Sequence, residues 1–290
     1  MIKASAPGKV NLHFEVGRLR ADGYHSVISL YQGLAIRQSV SVEPSESWQV
    51  ETTGDLPAEQ LKLVPADDAN LVVIAAKRIA EYVGIENPQP MRFLTHKQVP
   101  VAAGLAGGSA DAAAALVALN EAWCLGLDAG QLAEVGAKVG SDVPFALLGG
   151  TALGVDTGIE LTPLEPIQNL HFALAISPVG LSTGKVFAKF DELYPSGDLT
   201  STAAELRSAL ERGELNFGKN SLLEPALHLK PELAELVKSS GMPLALSGSG
   251  PTLFFASFDS DAVSAVAGEL SARGLLVIHT KSDERGAELD

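Results

Sequence analysis

The sequence predicts an α+β fold, and three observations support this prediction. Segments with strand-type patterns mingle with segments of helical period, without the strict alternation of a doubly wound sheet. The chain has 290 residues, 46% of them hydrophobic, which suffices for two moderate cores. Proline content rises near ELTPLEPIQN, which predicts a boundary at about residue 160. We therefore expect two domains, one over residues 1–160 and one over residues 161–290.

The elements of the first predicted domain follow from local patterns. Apolar runs separated by turn clusters such as RADGYH predict strands and hairpins over residues 3–50. Asp67, Asp68 and Asn70 precede an apolar run of helical period, which favours helix capping over a pair of metal ligands. MRFLTHKQVP predicts a strand, and the glycine-rich segment after it predicts a helix to about Leu125. DAGQLAEVGAKVG predicts a helix, SDVPFALLGG a turn and GGTALGV a strand.

The second predicted domain mixes the same two kinds of element. LHFALAISP predicts a strand, whereas STGKVFAKFDEL, TAAELRSALERG and PELAELVKSSG predict helices. LALSGSGPTLFFASF predicts two strands joined by a tight glycine turn. DAVSAVAGELSARGLLVIHTKS predicts a helix followed by a strand, and the final SDERGAELD predicts a solvated tail.

Charge and composition exclude several classes of partner. With 35 acidic and 21 basic residues the formal net charge is -14, which argues against binding to nucleic acids or anionic membranes. The N-terminus MIKASAPGKVNL has neither a signal-peptide nor a transit-peptide pattern, so we expect a cytoplasmic protein. The single cysteine, Cys124, fits a reducing compartment and predicts a core-filling side chain. Any phosphate must therefore be held by local groups rather than by a basic surface.

The segment VPVAAGLAGGSADAAAALVAL, residues 99–119, is the strongest candidate for such a local site. Its glycines and Asp111 make it a poor membrane span, so we predict a buried helix. Unpaired N–H groups and the macrodipole attract anions to a helix N-terminus, and glycines allow close approach. The alternative is that small residues serve only tight packing against a sheet.

Neither common nucleotide-binding motif accounts for this segment. The residues GELNFGK at 213–219 match part of the Walker A pattern, but Asn220 stands where Ser or Thr should bind magnesium. The preceding AAELRSALER predicts a helix rather than the required strand, so the match is coincidental. The glycines of the loop before the buried helix do not follow the dinucleotide G-x-G-x-x-G spacing either.

PVAAGLAGGSADAAAAL resembles the second signature of the GHMP kinases, the superfamily of galactokinase, homoserine kinase, mevalonate kinase and phosphomevalonate kinase. APGKVNLHFEVGRLRADGYH and LSGSGPTLFF are similar to its other two signatures, and the three stand in the expected order over residues 5–255. The resemblance implies an N-terminal domain of the ribosomal protein S5 domain 2-like type and a ferredoxin-like C-terminal domain. It places the active site in the cleft between the domains.

DGYH at residues 22–25 and SDVPF at 141–145 resemble the members of this superfamily that belong to the non-mevalonate isoprenoid pathway. That resemblance implies transfer of the γ-phosphate of ATP to the 2-hydroxyl of an erythritol substrate carrying cytidine diphosphate. It implies ATP and Mg²⁺ as cofactors, a small-molecule substrate, and a monomer or weak homodimer. Two alternatives stay open: another enzyme of the fold (a mevalonate, homoserine or sugar kinase, or diphosphomevalonate decarboxylase) and a non-catalytic nucleotide-binding protein.

The resemblance also assigns roles to individual residues. Asp142 matches the catalytic carboxylate, which accepts the hydroxyl proton, and Lys9 matches the lysine that stabilises charge beside it. The competing interpretation of Asp142 is an aspartate that begins a turn before Pro144. The ATP phosphates are assigned to two glycine segments, and a plain hairpin turn is the alternative interpretation of the second. The residues of these segments are Pro100, Val101, Ala102, Ala103, Gly104, Leu105, Ala106, Gly107, Gly108, Ser109, Ala110, Ser247, Gly248, Ser249 and Gly250.

The substrate residues are assigned by the same resemblance. Tyr24 and His25 can stack on and hydrogen-bond to a cytosine, and Phe187 is assigned to its other face, although a buried core Phe is an equal interpretation. Thr183 is placed near Asp142, and Asn11 near the erythritol end. Ser109, at the end of the first glycine segment, has two interpretations, a phosphate or Mg²⁺ contact and an ordinary N-cap.

Two positions depart from the pattern of the resembling family. Asp156 stands where relatives often have glycine and a basic residue, and Ser221 stands where an acidic residue usually follows asparagine. Neither belongs to the predicted chemistry. We expect both to affect only substrate detail or domain packing.

Overall fold

The computed structural model describes residues 1–290, which form two β-sheets surrounded by helices. The strands are β1 (Ile2–Leu19), β2 (His25–Pro44), β3 (Gln49–Gly54), β4 (Met91–Lys97), β5 (Thr151–Val155), β6 (Glu160–Leu164), β7 (His171–Ile176), β8 (Lys219–Asn220), β9 (Ala245–Leu246), β10 (Leu253–Ser257), β11 (Leu276–Lys281) and β12 (Glu288–Leu289). The helices are α1 (Ala58–Leu61), α2 (Leu71–Tyr82), α3 (Gly107–Ala122), α4 (Ala129–Ala137), α5 (Val143–Leu148), α6 (Thr183–Leu193), α7 (Ala203–Glu211), α8 (Leu223–Leu229), α9 (Pro231–Ser240) and α10 (Ser260–Ala272). The mixture confirms the predicted α+β class.

The first sheet is built around one long antiparallel hairpin of β1 and β2, with the order β12-β1-β2-β4-β3. β5 also pairs with β2, and the short β8 pairs in parallel with β1. The register places Lys9 opposite Gly33 and Asn11 opposite Tyr31, with irregularities in β1 on both sides of this region. The hairpin therefore presents side chains of β1 and β2 to a common site.

The core helix of the first sheet is α3. Its alanines from Ala112 to Ala115 are fully buried, so the helix lies close against β1 and β2. α2 packs beside it, and Asn70 caps α2 by accepting a hydrogen bond from Val72 N–H, as predicted. Asp67 accepts a hydrogen bond within its own loop, and Asp68 accepts one from Lys77. The two carboxylates therefore have separate partners.

The second sheet has the order β11-β7-β10-β9. Its Phe172 and Phe254 join Leu12 and Leu30 of the hairpin in a core between the two sheets. Its other face packs against helices α6, α8, α9 and α10 around residues such as Phe190. The two sheets are thus joined by an apolar core, and the predicted division near residue 160 stays a prediction.

The prediction of a solvated C-terminal tail is wrong. β12 adds an antiparallel strand to the start of β1, with Ala4 opposite Leu289 and Ser5 opposite Glu288. The carboxylate of Asp290 also accepts a hydrogen bond from Ser5 at 2.7 Å. The start of β1 has backbone N–H and C=O groups at the edge of the sheet, and β12 pairs with them. The polar sequence of the tail does not reveal this distant partner.

Two further local predictions need correction. Cys124 is exposed rather than core-filling, because α3 ends at Ala122 and Cys124 takes the left-handed conformation that closes the helix, with φ of 52°. The segment SDVPFALLGG forms α5 rather than a turn. Pro144 lies in its first turn, where a missing N–H is tolerated.

None of the helices combines the length and the apolar character that a membrane span requires.

Candidate active site

One cavity of about 1340 Å³ brings most of the predicted site residues together. The predicted residues that line it are Lys9, Asn11, Tyr24, His25, Pro100, Ala102, Ala103, Gly104, Ala106, Gly107, Gly108, Ser109, Asp142, Thr183, Phe187, Gly248 and Ser249. The predicted residues that do not line it are Val101, Leu105, Ala110, Ser247 and Gly250. Leu105 and Ala110 are fully buried in the core, so any ligand contact they make must involve the main chain.

Lys9 and Asn11 project from β1 onto the floor of this cavity. Both are buried, at 4% and 1% exposure, so the Lys9 ammonium depends on protein partners. It donates a hydrogen bond to Asn11 Oδ1 at 2.7 Å, and Asn11 Nδ2 donates to Ser29 Oγ at 2.7 Å. The carboxylate of Asp142 lies 3.6 Å from the ammonium. The arrangement fixes a positive charge and a carboxylate side by side.

Asp142 stands at the N-cap of α5, but its side chain makes no capping hydrogen bond. Its carboxylate is about 29% exposed to the cavity and is ion-paired with Lys9 instead. An N-cap aspartate normally accepts a hydrogen bond from the first turn of its helix. The absence of that bond leaves this carboxylate available for chemistry.

The loop before α3 leaves its N–H groups free. From Ala102 to Ser109 no backbone N–H donates a hydrogen bond within the chain. The side chain of Leu105, in the middle of this loop, is fully buried. The carbonyls point the other way, because Leu105 O accepts from Lys9 N–H and Gly104 O accepts from Ser247 Oγ. The loop is therefore anchored through its carbonyls and offers a row of donors to an anion.

Backbone conformation explains how the loop turns its donors to one side. Ala102, Gly104 and Ala106 all have positive φ angles, of 51°, 77° and 57°. Alternation of left-handed with other conformations makes successive N–H groups converge on a concave anion site. The N-cap of α3 is Ala106, so the interpretation of Ser109 as an ordinary N-cap is wrong, and Ser109 lies in the first helical turn.

The loop Ser247–Gly250 lies in the third signature and is called the third glycine loop below. It packs against the loop before α3. A Cβ at Gly104 would collide with the carbonyl oxygen of Ser247, so only glycine allows this approach. Ser249 Oγ lies 2.9 Å from Thr183 Oγ1, which ties the third glycine loop to the start of α6. The structure thus places both glycine loops and Thr183 around one end of the cavity.

The DGYH turn lines the same cavity. Tyr24 is 65% exposed, whereas His25 is buried and donates from Nδ1 to the carbonyl of Gly17 at 2.8 Å. Phe187 lies beside His25, with ring centroids 5.1 Å apart, and is only partly buried. Phe187 thus contacts the core with one part and the cavity with another, and its role in binding stays a prediction.

Comparison with known proteins gives this geometry a family. The family description "GHMP kinases N terminal domain" matches residues 70–150. A 4-diphosphocytidyl-2-C-methyl-D-erythritol kinase of Nocardia farcinica is 42% identical over 280 residues, which cover 93% of this chain and 89% of that protein. One of Leifsonia xyli is 36% identical, with 99% and 98% covered. The chain belongs to the 4-diphosphocytidyl-2-C-methyl-D-erythritol kinase family.

Solved structures agree with membership of this kinase family. A crystal structure of 4-(cytidine 5'-diphospho)-2C-methyl-D-erythritol kinase matches with a TM-score of 0.74 and 29% identity, covering 97% of this chain and 99% of that one. A mevalonate kinase from L. major matches with a TM-score of 0.72 but only 16% identity over 99% and 97% of the two chains, and so shares the fold alone. The predicted GHMP kinase architecture is confirmed.

Two residues of β2 join the site of this family member without having been predicted. Tyr31 lies opposite Asn11, and the Lys9 Nζ atom is 5.6 Å from the centre of its ring. Burial raises the pKa of the Tyr31 hydroxyl, and the charge of Asp142 raises it further. The hydroxyl of Ser29 accepts a hydrogen bond from the side-chain amide of Asn11. Their spacing of two on one strand is the only sequence signal, and it needs the hairpin register to become informative.

A buried ion pair lies next to the loop before α3. Lys97, at the end of β4, pairs with Asp111 of α3, and both side chains are about 3–4% exposed. Lys97 Nζ also lies 3.5 Å from the carbonyl oxygen of Gly107, the first residue of α3. Asp111 Oδ1 has no hydrogen-bond partner. Sequence analysis considered Asp111 only as a break in a membrane span and missed this pair.

Burial raises the pKa of Asp111 to about 6, against the opposing effect of the Lys97 ammonium. Because the folded state then binds more protons than the unfolded state between pH of about 4 and 6, stability from this group falls as pH rises through that window. We expect the free energy of unfolding of the wild type to gain on that of Asp111→Asn as pH is lowered from 7 to 4.5. Urea unfolding of both proteins at each pH measures this difference, and a constant difference would contradict the shift.

The two departures from the family pattern have separate surroundings. Asp156 lines the cavity and forms an ion pair with Arg20, next to the DGYH turn. Ser221 does not line this cavity, and its hydroxyl accepts a hydrogen bond from Val16 N–H at 3.2 Å. Asp156 thus lies in the cavity wall beside the DGYH turn, whereas Ser221 contributes to the packing of β8 against β1.

Proposed function

We propose that this protein transfers the γ-phosphate of ATP to the 2-hydroxyl of 4-diphosphocytidyl-2-C-methyl-D-erythritol, a step of the non-mevalonate isoprenoid pathway. The observation that carries the proposal is the Lys9–Asp142 pair, 3.6 Å apart, in one cavity with a row of free N–H groups and the DGYH turn. The names of the relatives at 36–42% identity support the choice of substrate.

The chemistry follows from the placement of these two side chains. The Asp142 carboxylate accepts the proton of the 2-hydroxyl while the hydroxyl oxygen forms a bond to the γ-phosphorus. The bond between the γ-phosphorus and the bridging oxygen breaks, and that oxygen leaves with ADP. Lys9 offsets the negative charge on the transferring phosphoryl, held in place by Asn11 at 2.7 Å. Because phosphoryl transfer passes through a loose transition state, alignment contributes more than base strength.

ATP is held, in this proposal, by the main chain from Pro100 to Ala110 and by the third glycine loop. The free N–H groups between Ala102 and Ser109 are local donors that bind phosphate without a basic surface. A protein of net charge -14 needs such local donors. Mg²⁺ carried by the triphosphate neutralises charge on its oxygens. We assign the Ser109 hydroxyl, which lines the cavity in the first turn of α3, to contact with a phosphate or with this ion.

The cytidine end is assigned to Tyr24, His25 and Phe187, with Thr183 and Asn11 toward the reacting hydroxyl. His25 is fixed by Gly17, which orients its other ring nitrogen toward the cavity side where Asp191 lies 3.4 Å away. An exposed Tyr24 supplies a stacking surface. We further propose the domain division near residue 160, a monomer or weak homodimer, and a cytoplasmic reaction, because ATP is supplied there.

The direct test is a substrate panel. The purified protein is incubated with Mg·ATP and, separately, with 4-diphosphocytidyl-2-C-methyl-D-erythritol, mevalonate or homoserine, and ADP formation is measured. We expect turnover only with the cytidine-bearing substrate. Turnover only with mevalonate or homoserine would overturn the specificity, and turnover with none would favour a nucleotide-binding protein without catalysis.

Phe187→Ala tests the stacking role. Because stacking on a base is worth roughly 1–3 kcal/mol, we expect the KM of the cytidine-bearing substrate to rise about tenfold or more, with the KM of ATP unchanged. Phe187→Tyr keeps an aromatic ring and is the matched control, with a KM close to that of the wild type. If the folded alanine variant also keeps the wild-type KM, Phe187 is a core residue only.

A further inference from the structure

Asn220 lies outside the cavity, yet it holds one of the loops that form it. Its side-chain amide donates two hydrogen bonds, to the carbonyls of Leu246 and Gly248, each at 2.8 Å. Its Oδ1 atom accepts a hydrogen bond from Leu222 N–H at 2.8 Å. The three bonds fix the amide group, and the amide in turn fixes the entry to the third glycine loop.

The strand that carries Asn220 is anchored to β1. β8 is only two residues long, but it pairs in parallel with β1, where Phe14 lies opposite Asn220. Lys219 donates to the carboxylate of Glu15 at 2.6 Å. Glu15 is 2% exposed, so this pair is a buried attachment at its carboxylate end. β1 is the same strand that carries Lys9.

The loop held by Asn220 lies directly against the predicted catalytic group. A Cβ placed on Gly248 would lie 3.3 Å from Lys9 Nζ and 3.4 Å from Asn11 Oδ1. Gly248 N–H and Ser249 N–H donate no hydrogen bond within the chain, and both residues line the cavity. The position of Gly248 therefore decides how closely two free donors and the Lys9 ammonium face the same point.

We propose that Asn220 is a positioning residue for phosphoryl transfer, which sets the distance between the third glycine loop and Lys9. β1 supplies both sides of this contact, Lys9 directly and Gly248 through β8 and the Asn220 amide. The inference rests on the proposed kinase function and adds a residue that does not touch the substrate.

Asn220→Asp is the test, because it keeps the acceptor for Leu222 N–H and replaces the amide donors by an oxygen that repels two carbonyls. Misplacement of about 1 Å costs on the order of 10²-fold in rate, so we expect kcat to fall by roughly 10- to 100-fold. The KM of the cytidine-bearing substrate should stay within about threefold, because Asn220 does not line the cavity and the loop it holds is not assigned to the base. The rate is expressed per binding-competent site, counted by calorimetric titration with a non-hydrolysable ATP analogue.

Two comparisons separate positioning from a general structural role. Ser221→Ala removes the neighbouring hydrogen bond from Val16 N–H. It should leave kcat per site within about twofold, because the loss of one such bond outside the cavity has only a small effect on the fold. Gly248→Ala moves the same loop from the other side, so the double variant with Asn220→Asp should have a kcat within about threefold of the slower single variant. Multiplying effects would mean that the two residues act independently and would overturn the proposal.

If Asn220→Asp does not fold, Asn220→Ala removes both amide donors without adding charge, and the same expectations apply. A wild-type kcat per site in a folded Asn220 variant overturns the positioning role while leaving the kinase function intact. Wild-type protein that lacks turnover with the cytidine-bearing substrate contradicts the proposed function itself, so the two failures are distinguishable.

Discussion

Asp142→Asn is expected to lower kcat by at least about 10²-fold, with the affinity for ATP nearly unchanged. The asparagine keeps the shape of the side chain at the start of α5 but cannot accept the hydroxyl proton. It also leaves the Lys9 ammonium, only 4% exposed, without its carboxylate partner. Steady-state rates with saturating substrates and calorimetric titration with an ATP analogue measure the two quantities.

Asp68→Asn is a suitable control for this variant, because it removes a charge from an exposed ion pair with Lys77 and should leave kcat unchanged. Thermal unfolding of both variants checks that they fold. Full turnover by folded Asp142→Asn would exclude this carboxylate as the base.

Asp111→Ala is expected to cost about 3–5 kcal/mol of unfolding free energy, because it leaves the buried Lys97 charge without a partner. The side chain is about 4% exposed, so water cannot replace the lost carboxylate without opening the junction of β4 and α3. Urea unfolding at pH 7 measures the loss. Since Lys97 lies near the first turn of α3, weaker binding of an ATP analogue should accompany it.

A double variant provides the control for this experiment. Lys97→Met combined with Asp111→Ala removes both charges, and apolar replacement of a buried pair is often neutral or stabilising. The double variant should therefore be more stable than Asp111→Ala alone. Equal stability of the single and double variants would show that the cost arises from the cavity and not from an unpaired charge.

The sequence was sufficient where function follows local pattern. The glycine segment before an Ala-rich helix can be recognised along the chain as an anion site, whereas the roles of Lys9 and Asn11 came from the resemblance; one cavity contains all of them. The role of Asp142 needed the resemblance, because a lone aspartate before Val143 and Pro144 also fits a turn. Its uncapped carboxylate beside Lys9 is visible only in three dimensions.

Other features depend on register and long-range pairing, which local patterns do not encode. Tyr31 faces Asn11 only because β1 is irregular on both sides of this pair, and each irregularity shifts the partners of a strand. Asn220 was noted merely as a mismatch to the Walker A pattern, since the carbonyls it binds lie 26 and 28 residues away. The C-terminal strand was missed because its partner, β1, lies at the opposite end of the chain.

The donors left free between Ala102 and Ser109 link ligand binding to the energetics of folding. A ligand that accepts hydrogen bonds from these donors in the native state, and does not bind the unfolded chain, stabilises the native state. At 100 times its Kd a ligand specific for the native state adds about 2.7 kcal/mol, a large share of the stability of a typical protein. We therefore expect the midpoint of thermal unfolding to rise with the concentration of ATP, because a bound nucleotide is a thermodynamic component of the fold as well as a reactant.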